Sequence, residues 1–180
     1  MKTVLVLMAE GSEELEAVTL VNILRRGGIS VTLAGLTEGP LRGSRGVIIV
    51  PDSTLDDALR DDFDMVVLPG GQPGTRHLQA DARVFRLLQQ MTQQGKYVAA
   101  ICAAPSVLAT AGLLAGKQAT CFPSALDDFP NVQLQPDAIV EDGKIITSRG
   151  PGTAMDFALT LLEKLAGHAK RQEVEAGLVR

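Results

Sequence analysis

Short apolar runs alternating with amphipathic stretches restrict the fold of this 180-residue chain more than any other feature. Val4 to Met8, Val31 to Ala34, Gly46 to Val50, Asp64 to Leu68, Tyr97 to Ile101 and Lys144 to Thr147 read as strands. Most carry apolar side chains at successive positions, so both faces of the sheet are covered, as in parallel sheets. Between the strands the period becomes helical. Glu13 to Arg26 reads as a helix capped by Ser12 and stopped by Gly27-Gly28. Ala82 to Gln94 puts Val84, Leu87, Leu88 and Met91 on one face. A helix is expected from Ala104 or Pro105 to about Leu114, and another over Thr153 to Leu165. Ala169 to Arg180 could extend as a surface helix. Leu36 to Gly46 and Asp127 to Pro136 read as longer loops. Strand–helix alternation of this kind predicts one α/β domain over residues 1–180, a mostly parallel sheet with helices on both faces.

The amino-acid content removes several classes of function. Two cysteines are too few for a disulfide scaffold and fit a reducing compartment. His77 and His168 are the only histidines, which leaves little for a metal site, and no metal is expected. A net charge of −4, with five Phe, one Tyr and no Trp, argues against nucleic acid. The twenty uncharged residues between Lys96 and Lys117 have the length of a membrane span, but Pro105, Gly112 and seven alanines favour a buried strand, a turn and a buried helix. The apolar run behind Met1-Lys2-Thr3 is too short for a signal-peptide core and Glu10 follows at once. A cytoplasmic protein is expected.

In parallel sheets, sites form beyond the carboxyl ends of the strands. The residues there are Glu10-Gly11, Pro69-Gly70-Gly71, Cys102-Ala103 and Arg149-Gly150-Pro151-Gly152. Cys102 sits between a strand and a helix, and Ala99, Ala100, Ala103 and Ala104 permit the tight bend of a nucleophile elbow. The positive end of the helix would favour its thiolate. Free cysteine also packs readily in cores, so the same residue reads equally as a structural thiol. Glu16 shares the apolar edge of the first helix with Leu20 and Ile23. Partial burial there would raise its pKa and let it donate to a thiolate, although a solvated first turn with Glu10, Glu13 and Glu14 is the plainer reading. The Pro69-Gly70-Gly71 turn could present N–H groups to an oxyanion, and Arg149-Gly150-Pro151-Gly152-Thr153 could hold an anion. Neither matches a nucleotide-binding glycine motif, and no cofactor is expected. Cys121 could resolve an oxidised Cys102, but its apolar neighbours suit a buried structural thiol.

Four strings together resemble the ThiJ/PfpI superfamily, in its branch close to the parkinsonism-associated deglycase. They are Ala9-Glu10-Gly11-Ser12-Glu13-Glu14-Leu15-Glu16, Val67-Leu68-Pro69-Gly70-Gly71, Ala99-Ala100-Ile101-Cys102-Ala103 and Thr147-Ser148-Arg149-Gly150-Pro151-Gly152-Thr153, and the likeness runs from about Thr3 to Gly167. The resemblance implies a flavodoxin-like sandwich and a homodimer. It implies that Cys102 is the oxidisable nucleophile and Glu16 its protonated partner. Gly71 and Ala103 would supply N–H groups to an oxyanion or a cysteine sulfinate. Arg45 and Arg149 match anion-binding arginines, and Arg26 one that reaches across the dimer. Phe122 stands where the best-known eukaryotic members carry a histidine, and Asn22 where they carry its acidic companion, which removes histidine-assisted proton transfer.

Three functions follow as expectations. The first is a glutathione-independent glyoxalase or deglycase acting on small dicarbonyls or on glycated amines and thiols. The second is an oxidation sensor or stress chaperone whose Cys102 forms a stabilised sulfinate with little turnover. The third, a cysteine peptidase or amidotransferase, lacks its histidine: Ala103 follows the cysteine, and His168 is the only histidine downstream.

Overall fold

The first apolar run forms strand β1 (Thr3–Met8), and its side chains alternate cleanly between the two sides of a sheet. Leu5 and Leu7 enter one apolar cluster and Val4, Val6 and Met8 the other. The structure is a computed structural model that describes residues 1–180. After β1 come helix α1 (Glu14–Arg26) and β2 (Ser30–Gly35), then the short pieces β3 (Leu41–Arg42), β4 (Ile48–Ile49), β5 (Ser53–Thr54) and α2 (Leu55–Ala58). Next are β6 (Met65–Leu68), α3 (Gly74–Ala80), α4 (Ala82–Gln93), β7 (Tyr97–Ile101) and α5 (Pro105–Thr110). The chain ends with β8 (Gln118–Ala119), β9 (Gln133–Leu134), β10 (Ile139–Asp142), β11 (Ile145–Ser148), α6 (Ala154–Ala166) and α7 (His168–Gly177).

Seven strands form the main sheet in the order β10-β11-β7-β6-β1-β2-β5, parallel throughout except for the β10–β11 hairpin. Helices cover both faces in a flavodoxin-like sandwich. On one face α4 buries Val84, Leu87, Leu88 and Met91, joined by Leu78, Val107 and Leu108. On the other, α1 contributes Ala17, Leu20, Ile23 and Leu24, and α6 contributes Phe157, Leu161 and Leu162. Each fully buried Leu or Phe here stabilises the fold by about 1.5–3 kcal/mol. The chain winds from β1 to β2 in one direction and through β6 and β7 in the other. A crevice therefore opens beyond the carboxyl ends of β1 and β6, next to the end of β7.

Several local expectations are corrected. Gly46 to Val50 does not join the main sheet: Gly46 has φ +93°, and only Ile48–Ile49 pair, antiparallel, with Leu41–Arg42 in a separate ribbon. Ser12 does not cap α1. Its hydroxyl turns back to accept the Ala9 N–H at 3.0 Å, while Glu13 takes the cap position. Helix α5 stops at Thr110, because the chain turns at Ala111-Gly112, where Gly112 has φ +76°. The hairpin strand β10 and helices α2 and α3 were not expected. Helix α2 is a single turn, and α3 buries only one large apolar residue, Leu78, so neither carries a readable stripe. The C-terminal helix forms and is anchored against the second cluster by Val174.

Candidate active site

Strand β7 alternates as β1 does, with Val98 and Ala100 on one side and Ala99 and Ile101 on the other. Continued alternation would send Cys102 to the side of Ala100. Instead Cys102 adopts φ +65°, and its side chain joins the cluster of Ile101, on the face covered by α1. A non-glycine residue held in the left-handed region costs about 1–3 kcal/mol and persists only where its surroundings impose it. Here the Cys102 N–H donates to the Ser148 carbonyl at 3.0 Å and the Ala104 N–H to the Ile101 carbonyl at 3.0 Å, which pins both sides of the bend. The elbow expected from small residues is present.

Helix α1 brings Glu16 to the same place. Its side chain is fully buried beside Ala17 and Leu20. Gly70, at the end of β6, donates its N–H to Glu16 Oε2 at 2.7 Å. Glu16 Oε1 is buried without a conventional hydrogen-bond partner, and the carboxyl interacts with the Cys102 thiol. The backbone N–H groups of Ala103 and Gly71 are directed to the sulfur. Gly70 has to be glycine, since a Cβ there would lie 2.7 Å from Cys102 Cβ and 2.9 Å from the Ala103 nitrogen. Gly71 has φ +85°, and a Cβ on it would fall 2.3 Å from the Glu13 nitrogen. Cys102, Glu16, Gly71 and Ala103 thus come together, and Gly70 joins them as the donor to Glu16. The Gly-Gly pair was the signal for that contact, although sequence reading aimed the N–H groups of the turn at an oxyanion and not at Glu16.

The electrostatics depart from the expected effect of the helix end. Burial, followed by the charge of the Glu16 carboxylate and its hydrogen bond, pushes the Cys102 thiol up to about 12. The N–H groups of Ala103 and Gly71 pull the other way and do not prevail. Burial likewise pushes Glu16 up to about 7, against the Gly70 N–H and the thiol. The two shifts leave the thiol protonated near neutrality and bring the titration of Glu16 into that range, so the pair holds between one and two protons there. Protonation of Glu16 removes the charge that opposes the thiolate, and the sulfur faces two N–H donors.

The three expected arginines stand apart. No hydrogen bond or ion pair joins any of them to Cys102 or Glu16. Arg45 is exposed, with its Nε 4.0 Å from Glu13 Oε2, and its N–H donates to Glu14 at 2.9 Å. Arg149 is exposed and reaches the Pro136 carbonyl at 3.4 Å. Arg26 donates from Nε to Asn22 Oδ1 at 2.8 Å and lies on a groove of about 530 Å³ with Val18, Val21 and Leu33. Sequence reading missed Glu14. It accepts the N–H groups of Arg45 and Val47 and the Ser44 hydroxyl, and so ties the β3–β4 ribbon to the start of α1. Those hydrogen bonds hold its pKa below the usual carboxylate value although burial opposes them.

Cys121 lies in the first cluster, across the sheet from Cys102. A resolving role is not supported by that placement. No three His, Cys, Asp or Glu side chains come together as a metal site, and no helix is long and apolar enough to cross a membrane.

Residues 2–164 match the DJ-1/PfpI family. The chain is 46% identical to Protein dj-1beta of Drosophila melanogaster, over 99% of this chain and 97% of that one. The crystal structure of that fly protein superposes with a TM-score of 0.95 over the same shares of the two chains. An oxidised Toxoplasma gondii DJ-1 also superposes at 0.95, with 36% identity over 99% of this chain and 98% of the other. The Caenorhabditis elegans protein named glutathione-independent glyoxalase DJR-1.2 is 36% identical over 94% of this chain and 91% of its own.

Proposed function

The chain belongs to the DJ-1/PfpI family, and on that premise we propose that it is a cysteine-dependent stress-response enzyme acting on reactive dicarbonyls, of glyoxalase or deglycase type. One observation carries the reading: a buried thiol, a buried carboxyl with its pKa raised to about 7, and two backbone N–H groups converge on one point. The C. elegans relative bears a glyoxalase name, which supports the same chemistry.

In this reading Cys102 Sγ adds to the aldehyde carbon of methylglyoxal, and the proton shared with Glu16 passes to the aldehyde oxygen. A hemithioacetal results, its oxygen facing the N–H groups of Gly71 and Ala103. Glu16, now a carboxylate, takes the hydrogen of C1 as a proton and returns it to C2, while a proton moves between the two oxygens. The product is a lactoyl thioester, and water cleaves it to lactate and the thiol. No outside oxidant or reductant is needed. Arg45 and Arg149 serve as the anion-binding residues that the family likeness implies, although neither bonds to Cys102 or Glu16. A second copy of the chain brings its own Arg26 to the interface, with exposed Leu15, Val18, Val47, Ile48 and Val50 as the apolar contact face. The protein works in the cytoplasm, where its thiols stay reduced.

The test is lactate formation from methylglyoxal without glutathione. Wild type is expected to turn over and Cys102→Ser to show only background; equal rates from the two proteins overturn the reading.

The N–H pair at Cys102 also favours a second reading, an oxidation sensor. Peroxide would take the thiol through sulfenic to sulfinic acid, whose oxygens would accept from Gly71, Ala103 and a protonated Glu16. Peroxide titration followed by mass spectrometry separates the two. Stoichiometric Cys102 sulfinate without lactate turnover selects the sensor.

A further inference from the structure

One large apolar side chain is fastened to the elbow and left half in solvent. Phe122 is 49% exposed, and its N–H donates to the Cys102 carbonyl at 2.8 Å. Its ring lies over Gly150: two ring carbons come within 3.4 and 4.0 Å of the position a Gly150 Cβ would take. Gly150 follows β11, the strand paired with β7, so Phe122 bridges the carboxyl ends of the two strands, next to the residue that carries the thiol. Its neighbour Cys121 packs into the cluster on the opposite side of the sheet from Cys102. Of the other groups at Cys102, Gly70, Gly71 and Ala103 offer backbone or a single methyl group, and Glu16 offers a buried carboxyl.

We propose that Phe122 is a specificity-determining wall of this site, which selects dicarbonyls bearing an aryl or comparably bulky apolar substituent. The inference rests on the dicarbonyl reading above and names its substrate class. An aryl group on the carbonyl next to the aldehyde would stack on the exposed ring as Sγ adds to the aldehyde carbon, and aromatic pairing of this kind prefers offset or edge-on contacts. A methyl group offers the ring far less apolar area than an aryl group does. Proton and atom balance are those of the reaction above, with phenylglyoxal giving mandelate in place of lactate.

The first arm compares kcat/KM for phenylglyoxal and methylglyoxal in wild type, Phe122→Leu and Phe122→Ala. The phenylglyoxal to methylglyoxal ratio is expected to fall about tenfold in Phe122→Ala, and less in Phe122→Leu, which keeps apolar bulk without the ring. The second arm needs no turnover. Cys102 Sγ displaces bromide from phenacyl bromide or from bromoacetone, the thiol proton passing to water, and mass spectrometry follows both rates. Each rate is referred to that of a small free thiol. The aryl-to-alkyl ratio should fall by a similar factor in the Ala variant. Ratios unchanged in both variants, or two rates that fall together, overturn the assignment. A protein that turns over neither dicarbonyl yet shows the alkylation shift loses the dicarbonyl reading and keeps Phe122 as the aryl-selecting wall.

Discussion

Cys102 and Cys121 are nearly equal in exposure, at 8% and 9%, and sit in unlike surroundings. Cys102 lies on a left-handed bend, faces a buried carboxyl and receives two N–H groups. Cys121 lies in the apolar cluster across the sheet, where burial and then the charge of Asp127 raise its pKa against the N–H groups of Leu126 and Ala125 and the charge of Arg149. Burial therefore does not separate the thiol proposed to react from the one that packs. What separates them is a buried carboxyl hydrogen-bonded to the sulfur of Cys102, since a thiolate forms in such a place only if the proton has somewhere to go.

The sharpest way to break this contrast is to exchange the roles. Cys102→Ser is expected to lower dicarbonyl turnover by on the order of 10³-fold or more, measured as lactate release, whereas Cys121→Ala should stay within about twofold. Comparable losses from the two substitutions would remove the distinction. Glu16→Gln comes next. It keeps the shape and the contact with the Gly70 N–H but cannot exchange a proton, and kcat should fall by about 10²- to 10⁴-fold. The same variant should alter the pH dependence of Cys102 alkylation, because the charge that opposes the thiolate is gone.

Gly71→Ala tests the bend that holds the N–H donors. The left-handed φ alone costs about 1–3 kcal/mol, and the Cβ would collide with the Glu13 backbone. A lowered midpoint in chemical denaturation is expected, together with slower alkylation of Cys102. The smallest effect is on stability against pH, where two glutamates of one helix oppose each other. Glu16 is raised from 4.5 to about 7, so the folded state holds more protons in that window and the contribution of Glu16 to stability declines as pH rises from about 4.5 to 7. Glu14 is lowered, so its contribution is present above 4.5 and is lost as pH falls through its lower folded value. Denaturation of Glu16→Gln should therefore lose the decline between 4.5 and 7, and Glu14→Gln the loss at acid pH. Parallel curves for wild type and both variants would contradict these assignments.

Much of the sheet was legible because strand and helix periods are local: β1, β2, β6, β7 and β11 and helices α1, α4 and α6 follow from apolar spacing. The pieces that were misread depend on partners distant in sequence. Ile48–Ile49 pair only because Leu41–Arg42 fold back on them, and Ser12 gives up the cap because its hydroxyl is drawn to the Ala9 N–H in a fully buried corner. Glu14 gave no sign of its clamp, since its donors lie more than thirty residues along the chain.

By itself the sequence determined the α/β class and the family likeness, and through that likeness it singled out Cys102 and Glu16, on which the proposed chemistry turns. The class and the likeness follow from residue type and short-range order. Only the tertiary structure decided the direction of the thiol's pKa, the donor to Glu16, the separation of the two cysteines and the place of Phe122. Each depends on which groups the winding of the chain brings into one desolvated space. There the removal of water, the nearby carboxylate and the aimed N–H groups compete at distances no local pattern records.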